Sequence, residues 1–298
     1  MATTGIRSES PLVVIVGPTA SGKTSLAVEL AREFGGEIIS ADSRAVYRYL
    51  SIGTAKPSIK EQGGVPHWGI DLVDPGERFT VADFQHYAKT KIAEIRARGR
   101  IPFLVGGTGL YIDAVVYDFV FPGEGNDLQR REELETLELG VLHKYCIDNN
   151  VKLPENAQNK RHVVSAILRN GVSLQRKRDL DGNTLVVGIA TEKQKLNKQI
   201  IARAETIFTQ NVVDEAALAA ERFGWDSEAM TGNIYPLLRR YLAGEITKEQ
   251  LIERFIIADR QLAKRQLTWF RRNPDIVWLP LDEVYKYVAQ ELGSLSKS

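Results

Sequence analysis

A single cysteine, Cys146, stands in the 298 residues. No intramolecular disulfide and no thiolate zinc site can be built on it, which points to a reducing compartment. Long apolar runs are missing as well. Residues 1–10 are polar, and the run that follows, Leu12–Val16, has five residues, far short of the ~20 a membrane-spanning helix needs and too short for a signal-peptide core. Charge of one sign is not in excess: Lys plus Arg number 39 and Asp plus Glu 38, a net of +1. Affinity for a polyanion must then come from local patches. His67, His86, His143 and His162 show no metal-ligand spacing. These absences predict a cytoplasmic protein without membrane attachment. What is present, 43% apolar and 26% charged residues, is the composition of a globular chain of one large or two smaller domains.

Five short apolar runs, rich in β-branched residues, lead through turn residues into longer amphipathic stretches: Leu12–Val16, Glu37–Ala41, Gly69–Val73, Ile101–Val105 and Thr184–Ile189. Continuous apolar strands alternating with helices predict an α/β fold whose parallel sheet is covered on both faces. In such sheets the reactive loops lie at the carboxyl ends of the strands. The alternation stops over residues 122–179. There Pro122, Gly123 and Gly125 break the chain, and a stretch with Glu132, Glu133, Glu135 and Glu138 follows. A second helix, from about Asn159 to Arg169, ends at Asn170-Gly171. This predicts a helical insertion domain, 122–179, within a core made of residues 1–121 and 180–298. Beyond residue 195 the pattern is helical throughout, with a long helix from about Thr247 to Arg272.

The strongest local signal is Gly17-Pro18-Thr19-Ala20-Ser21-Gly22-Lys23-Thr24, which fits G-x-x-x-x-G-K-[ST] between a strand and a helix. A chance match in a chain of this length is on the order of 1 in 100. Its glycines let backbone N–H groups converge on phosphate oxygens, and the helix N-terminus adds positive dipole. Lys23 supplies a point charge, and the Thr24 hydroxyl suits Mg2+. Asp42, at the end of the second run, has three open roles: general base, metal ligand, or cap of the segment after it. Thr108 sits among Gly106, Gly107 and Gly109 after the fourth run, where a hydroxyl and close backbone approach to a ligand go together.

Two basic stretches suit a polyanionic partner. Residues 156–178 hold six cations, Lys160, Arg161, Arg169, Arg176, Lys177 and Arg178, and no acid. In the last long helix, Leu251, Phe255, Ala258, Leu262 and Trp269 form a core-facing stripe. Arg254, Arg260, Lys264, Arg265, Arg271 and Arg272 occupy an arc of roughly 140° beside it, a footprint suited to a phosphate backbone.

Taken together, GPTASGKT, ADSRAVYRYLSIGTAKP, VPHWGIDLVDP, GRIPFLVGGTGLY, QNKRHVVSAIL and RQLAKRQLTWFRR, spread over residues 12 to about 278, resemble the bacterial tRNA dimethylallyltransferase (tRNA isopentenyltransferase) family. The resemblance implies a P-loop NTPase-like core that transfers a dimethylallyl group from dimethylallyl diphosphate, with Mg2+, to N6 of the adenosine at tRNA position 37. Its partner is then the tRNA anticodon stem-loop, and the expected state is a monomer. Gly17 through Thr24 become the diphosphate-binding loop, with Thr24 on the metal. Asp42 becomes the base for N6 and Thr108 its companion. Ser43, Arg44, Ala45, Arg131, Lys160, Arg161, Lys264, Arg265, Arg271 and Arg272 become tRNA contacts. An adenylate isopentenyltransferase or a small-molecule P-loop kinase is the alternative, and an RNA-binding protein without catalysis a third reading. The family's Gly-Tyr pair followed by a basic residue reads Ile234-Tyr235-Pro236 here. Arg239 and Arg240 are the nearest replacements for that cation.

Overall fold

The computed structural model describes residues 10–121, 128–154, 156–171, 174–209 and 211–295. The chain runs β1 (Leu12–Val16), α1 (Lys23–Glu33), β2 (Gly36–Ser40), α2 (Ile59–Gln62), β3 (His67–Trp68), α3 (Val81–Ala97), β4 (Ile101–Gly106) and α4 (Gly109–Val116). It continues through β5 (Phe119–Val120), α5 (Leu128–Thr136), α6 (Leu139–Asp148), α7 (Lys160–Leu168) and β6 (Gln175–Arg176). The remainder is β7 (Thr184–Ile189), α8 (Lys193–Thr209), α9 (Val212–Phe223), a 3-10 turn (Glu228–Thr231), α10 (Tyr235–Leu242), α11 (Lys248–Phe270), β8 (Val277–Leu279) and α12 (Leu281–Leu295).

Two compact units result, residues 117–179 and the rest of the chain. In the larger, six parallel strands lie in the order β3-β2-β4-β1-β7-β8. β1 is buried along its whole length, with Val14 opposite both Leu104 and Val186, so a run with no polar alternation is what the position requires. On one face Val13, Ile15, Phe103 and Val187 pack with Leu26 and Leu30 of α1 and Val284 and Val288 of α12. α3 packs on α4, where Phe84 stacks on Tyr111 with ring centroids 4.1 Å apart.

In the smaller unit β5 pairs antiparallel with β6. α5, α6 and α7 enclose Leu134, Leu142, Cys146, Val163 and Ile167. Burial pushes the Cys146 thiol up from its ordinary pKa. The chain breakers Pro122, Gly123 and Gly125, and with them the expected boundary, lie outside the described residues.

Three expectations need correction. The third strand is His67–Trp68, not Gly69–Val73. Asp71 has a φ of +52°, and the amides of Asp71, Leu72 and Val73 donate to the carbonyls of Ala45 and Val46 instead of a ladder. The region beyond residue 195 is not all helix, because Val277–Leu279 extends the sheet beside β7. Finally, α11 buries Leu251, Phe255, Asp259, Ala263 and Phe270, while Trp269 keeps 39% exposure. The inward face follows a four-residue spacing and turns gradually along the helix. An acid, Asp259, lies within it because Arg203 stands opposite.

Candidate active site

Three loops meet at the carboxyl edge of the sheet, after β1, β2 and β4. Together with α8 and α11 they enclose a cleft of about 530 Å³. Strand order accounts for the meeting, since β4 lies between β1 and β2. In the first loop Ala20 and Gly22 take left-handed φ values of +62° and +88°, which turns the chain sharply into α1. Thr19 through Thr24 line the cleft. Gly17 and Pro18 lie buried beneath them, and the Pro18 carbonyl accepts from Lys23 Nζ at 2.6 Å. Burial lowers the Lys23 pKa from 10.5 to about 8, with Asp42 pulling it up and Arg203 pushing it down. Ser21 Oγ is buried in the loop with no hydrogen-bond partner.

Two residues of the C-terminal helices bear on this loop. Gln266 Oε1 on α11 accepts from the Thr19 amide at 2.7 Å. Arg203 on α8 donates through Nη1 to Thr19 Oγ1 and to Asp259 Oδ2 at 3.2 Å. Asp259 also accepts from Asn233 Nδ2 at 3.1 Å. The guanidinium therefore stands beside the phosphate loop, held by a buried carboxylate.

Asp42 and Thr108 come together through backbone contacts. A Cβ on Gly106 would fall 2.1 Å from the Ala41 carbonyl oxygen, so a side chain there would part the ends of β2 and β4. With glycine in place, the Thr108 amide donates to Ala41 O at 3.1 Å and the Ser43 amide donates to Thr108 Oγ1 at 3.0 Å. Asp42 Oδ1 accepts from the Arg44 amide at 2.8 Å, the capping role that its position allows. Its Oδ2 has no hydrogen-bond partner among the described residues. One carboxylate oxygen thus fixes the turn, while the residue lines the cleft.

The remaining expected residues divide. Ser43 and Arg44 line the cleft, and Arg44 Nη1 donates to Glu228 O at 2.9 Å and Thr231 Oγ1 at 3.0 Å. Ala45 lines the cleft too; it is 4% exposed, and its carbonyl accepts from the Asp71 amide. Arg131 is held within its own unit: its side chain is 10% exposed and lies 3.7 Å from Glu135. The neighbouring Arg130 is the exposed one, over the Tyr145 ring at 5.7 Å. In the smaller unit Lys160 is half-buried and Arg161 exposed. Lys264, Arg265, Arg271 and Arg272 are all exposed, and of these four only Arg265 lines the cleft.

Near Pro236 neither nearby arginine supplies a cation to the cleft. Arg239 pairs with Asp226 at 3.0 Å and Arg240 with Glu245 at 2.9 Å. Arg203 and Arg265 stand in the cleft instead. Sequence reasoning missed Arg203, Gln266 and Asp259. Gln266 lay inside a motif already singled out, whereas Arg203 sits in an amphipathic helix with no local mark.

A phosphate loop at the first strand of a parallel sheet, facing a carboxylate from the second, defines a P-loop NTPase-like core. A family model described as IPP transferase matches residues 45–273, and one described as isopentenyl transferase matches residues 10–67. The chain is 35% identical to a tRNA dimethylallyltransferase of Bacillus cytotoxicus, covering 96% of this chain and 97% of that one. It is 40% identical to the one from Desulforudis audaxviator, covering 92% and 93%. Among solved structures, the full-length tRNA isopentenylpyrophosphate transferase of Bacillus halodurans superposes with a TM-score of 0.74 at 37% identity, over 97% of this chain and 98% of that one. A eukaryotic dimethylallyltransferase crystallised acting on tRNA, 24% identical, shares the fold with a TM-score of 0.75. The chain belongs to the tRNA dimethylallyltransferase family.

Proposed function

We propose that the protein transfers a dimethylallyl group from dimethylallyl diphosphate to N6 of the adenosine at position 37 of tRNA, next to the anticodon. The observation that carries this reading is Asp42, with one free oxygen, in the same cleft as the phosphate loop Thr19–Thr24. The loop amides, Lys23 and Arg203 face the place where negative charge grows as the allylic C–O bond breaks, and charge developing in a pre-oriented site is where such groups lower a barrier most. An aromatic amine is a weak nucleophile. As N6 bonds to the allylic carbon, its proton passes to Asp42 and the diphosphate leaves with the bonding pair. Thr108, tied to the Ser43 amide, holds the Asp42 turn in register. The adenine must leave the anticodon-loop stack to enter the cleft, as bases do in other nucleobase-modifying enzymes.

Mg2+ fits the residues present. Among the described residues no group of three or more His, Cys, Asp or Glu could hold a metal, and the exposed Thr24 hydroxyl is a hard oxygen donor in the cleft. Such an ion would take its other ligands from diphosphate oxygens and water, and bound there it would neutralise leaving-group charge. Among the described residues no helix is long and apolar enough to cross a membrane. Family likeness supports a cytoplasmic monomer acting on the anticodon stem-loop.

The test offers labelled dimethylallyl diphosphate with an unmodified anticodon stem-loop, with AMP and with ATP. Label on the stem-loop adenosine is expected. Label on AMP alone would replace this reading with a free-nucleotide prenyltransferase. Phosphate transfer from ATP to any acceptor would replace it with a kinase.

A further inference from the structure

We infer that Glu215, acting with Tyr235, is a positioning residue that clasps the segment Ser51–Pro57 and so sets one wall of the cleft. The inference rests on the transfer reaction above and adds two residues to it. Glu215 lies in the first turn of α9. Its Oε2 accepts from the Ser51 amide at 2.7 Å and the Ile52 amide at 2.7 Å, and its Oε1 from the Gly53 amide at 2.9 Å. Tyr235 Oη donates to Oε1 at 3.0 Å. Three consecutive amides converging on one anion form a nest, and hydrogen bonds to an ionised acceptor are about twice as strong as neutral ones.

Tyr235 is fully buried. Burial first, and the Glu215 charge next, drive its hydroxyl far above the ordinary phenol range, so it stays a donor at any working pH. The fit leaves no room at Gly53, where a Cβ would fall 2.6 Å from Tyr235 Oη. Further along the segment Lys56 Nζ is held by Asp71 Oδ1 at 2.6 Å and by the Tyr47 carbonyl. The wall is thus fixed at both ends, and Gly53 through Pro57 line the same cleft as Asp42 and Thr108. Here Ile234-Tyr235-Pro236 contributes a neutral hydroxyl that shapes the site, while Arg203 and Arg265 are among the cations lining the cleft.

Glu215→Gln keeps the shape but turns one acceptor oxygen into an NH2 group facing N–H or O–H donors. Tyr235→Phe removes a single bond and serves if the first variant folds poorly. Hydrogen exchange at amides 51–53, calorimetry with dimethylallyl diphosphate, transfer kinetics on the stem-loop and thermal melting are measured on the full chain. For Glu215→Gln the expected result is exchange faster by at least about tenfold and kcat lower by about 10- to 100-fold, the cost of small misplacement near reacting groups. Diphosphate affinity is expected to stay within about threefold, since the phosphate loop is untouched; Tyr235→Phe moves the same way by less. Unchanged exchange, or kcat and affinity falling together in step with lost folded protein, overturns the clasp. If the wild-type chain transfers no prenyl group, the function proposed above fails, and the exchange result still decides whether Glu215 holds the segment.

Discussion

Lys23 makes the affinity of the cleft for an allylic diphosphate depend on pH above neutrality. Withdrawal from water lowers its pKa to about 8, whereas a lysine in water stays charged to about pH 10.4. A bound diphosphate favours the ammonium, so binding above pH 8 requires proton uptake. With a pKa of about 8, roughly three quarters of the sites carry the charge at pH 7.5 and about a tenth at pH 9. Affinity should therefore fall about eightfold between those two pH values, or about 1.2 kcal/mol. The sign is that of a group whose pKa rises on binding: affinity is full only well below pH 8 and falls as pH rises through it. Calorimetry with dimethylallyl diphosphate and no acceptor, repeated in buffers of different ionisation enthalpy, measures both the affinity and the proton taken up. Lys23→Met should bind weakly at every pH and take up no proton. A wild-type affinity that is flat from pH 7.5 to 9 would refute the reasoning, because it would mean the ammonium is no more desolvated than a surface lysine.

Asp42→Ala should abolish transfer, read as mass of the modified nucleoside, while diphosphate affinity stays within about threefold; wild-type-like turnover would remove Asp42 from the chemistry. Arg203→Ala should weaken diphosphate binding and also destabilise the fold by about 2 kcal/mol, since it leaves the buried Asp259 carboxylate without its cation and with the Asn233 amide alone; the figure is set below that for a fully buried pair because Arg203 keeps 22% exposure. Chemical denaturation should show that adding Asp259→Ala restores much of the stability, and calorimetry that it leaves the binding defect. Arg265→Ala should lower the slope of log affinity for the stem-loop against log salt by about 0.7 to 1, measured by fluorescence anisotropy; an unchanged slope would take Arg265 out of the RNA contact.

The strands at the centre were legible because burial on both faces leaves no other pattern. Leu12–Val16 and Thr184–Ile189 match their observed bounds, and Ile101–Val105 falls one residue short. Gly69–Val73 misled because its apolar side chains look like a strand while its amides are taken by the loop before it. β8 escaped notice as a three-residue edge strand beyond Asn273-Pro274. The phosphate loop is a local motif and could be read directly. Arg203 could not, since its partner Thr19 is 184 positions away and nothing in the Lys193–Thr209 helix sets it apart from other helical arginines. On α11 the stripe holds at Leu251 and Phe255 and drifts off the inward face by Trp269, because apolar residues alone were assumed to face inward. A buried acid opposite an arginine becomes visible only once the two helices are seen side by side.

Cys146 is the one thiol in the chain, and it lies 1% exposed inside the three-helix unit of residues 117–179. Its alkylation rate therefore serves as a clock for transient opening of that unit alone, with no second sulfhydryl to confuse the signal and no label to be engineered in. Comparing the rate with and without RNA would report whether occupancy slows its breathing, in a protein left chemically as it is made.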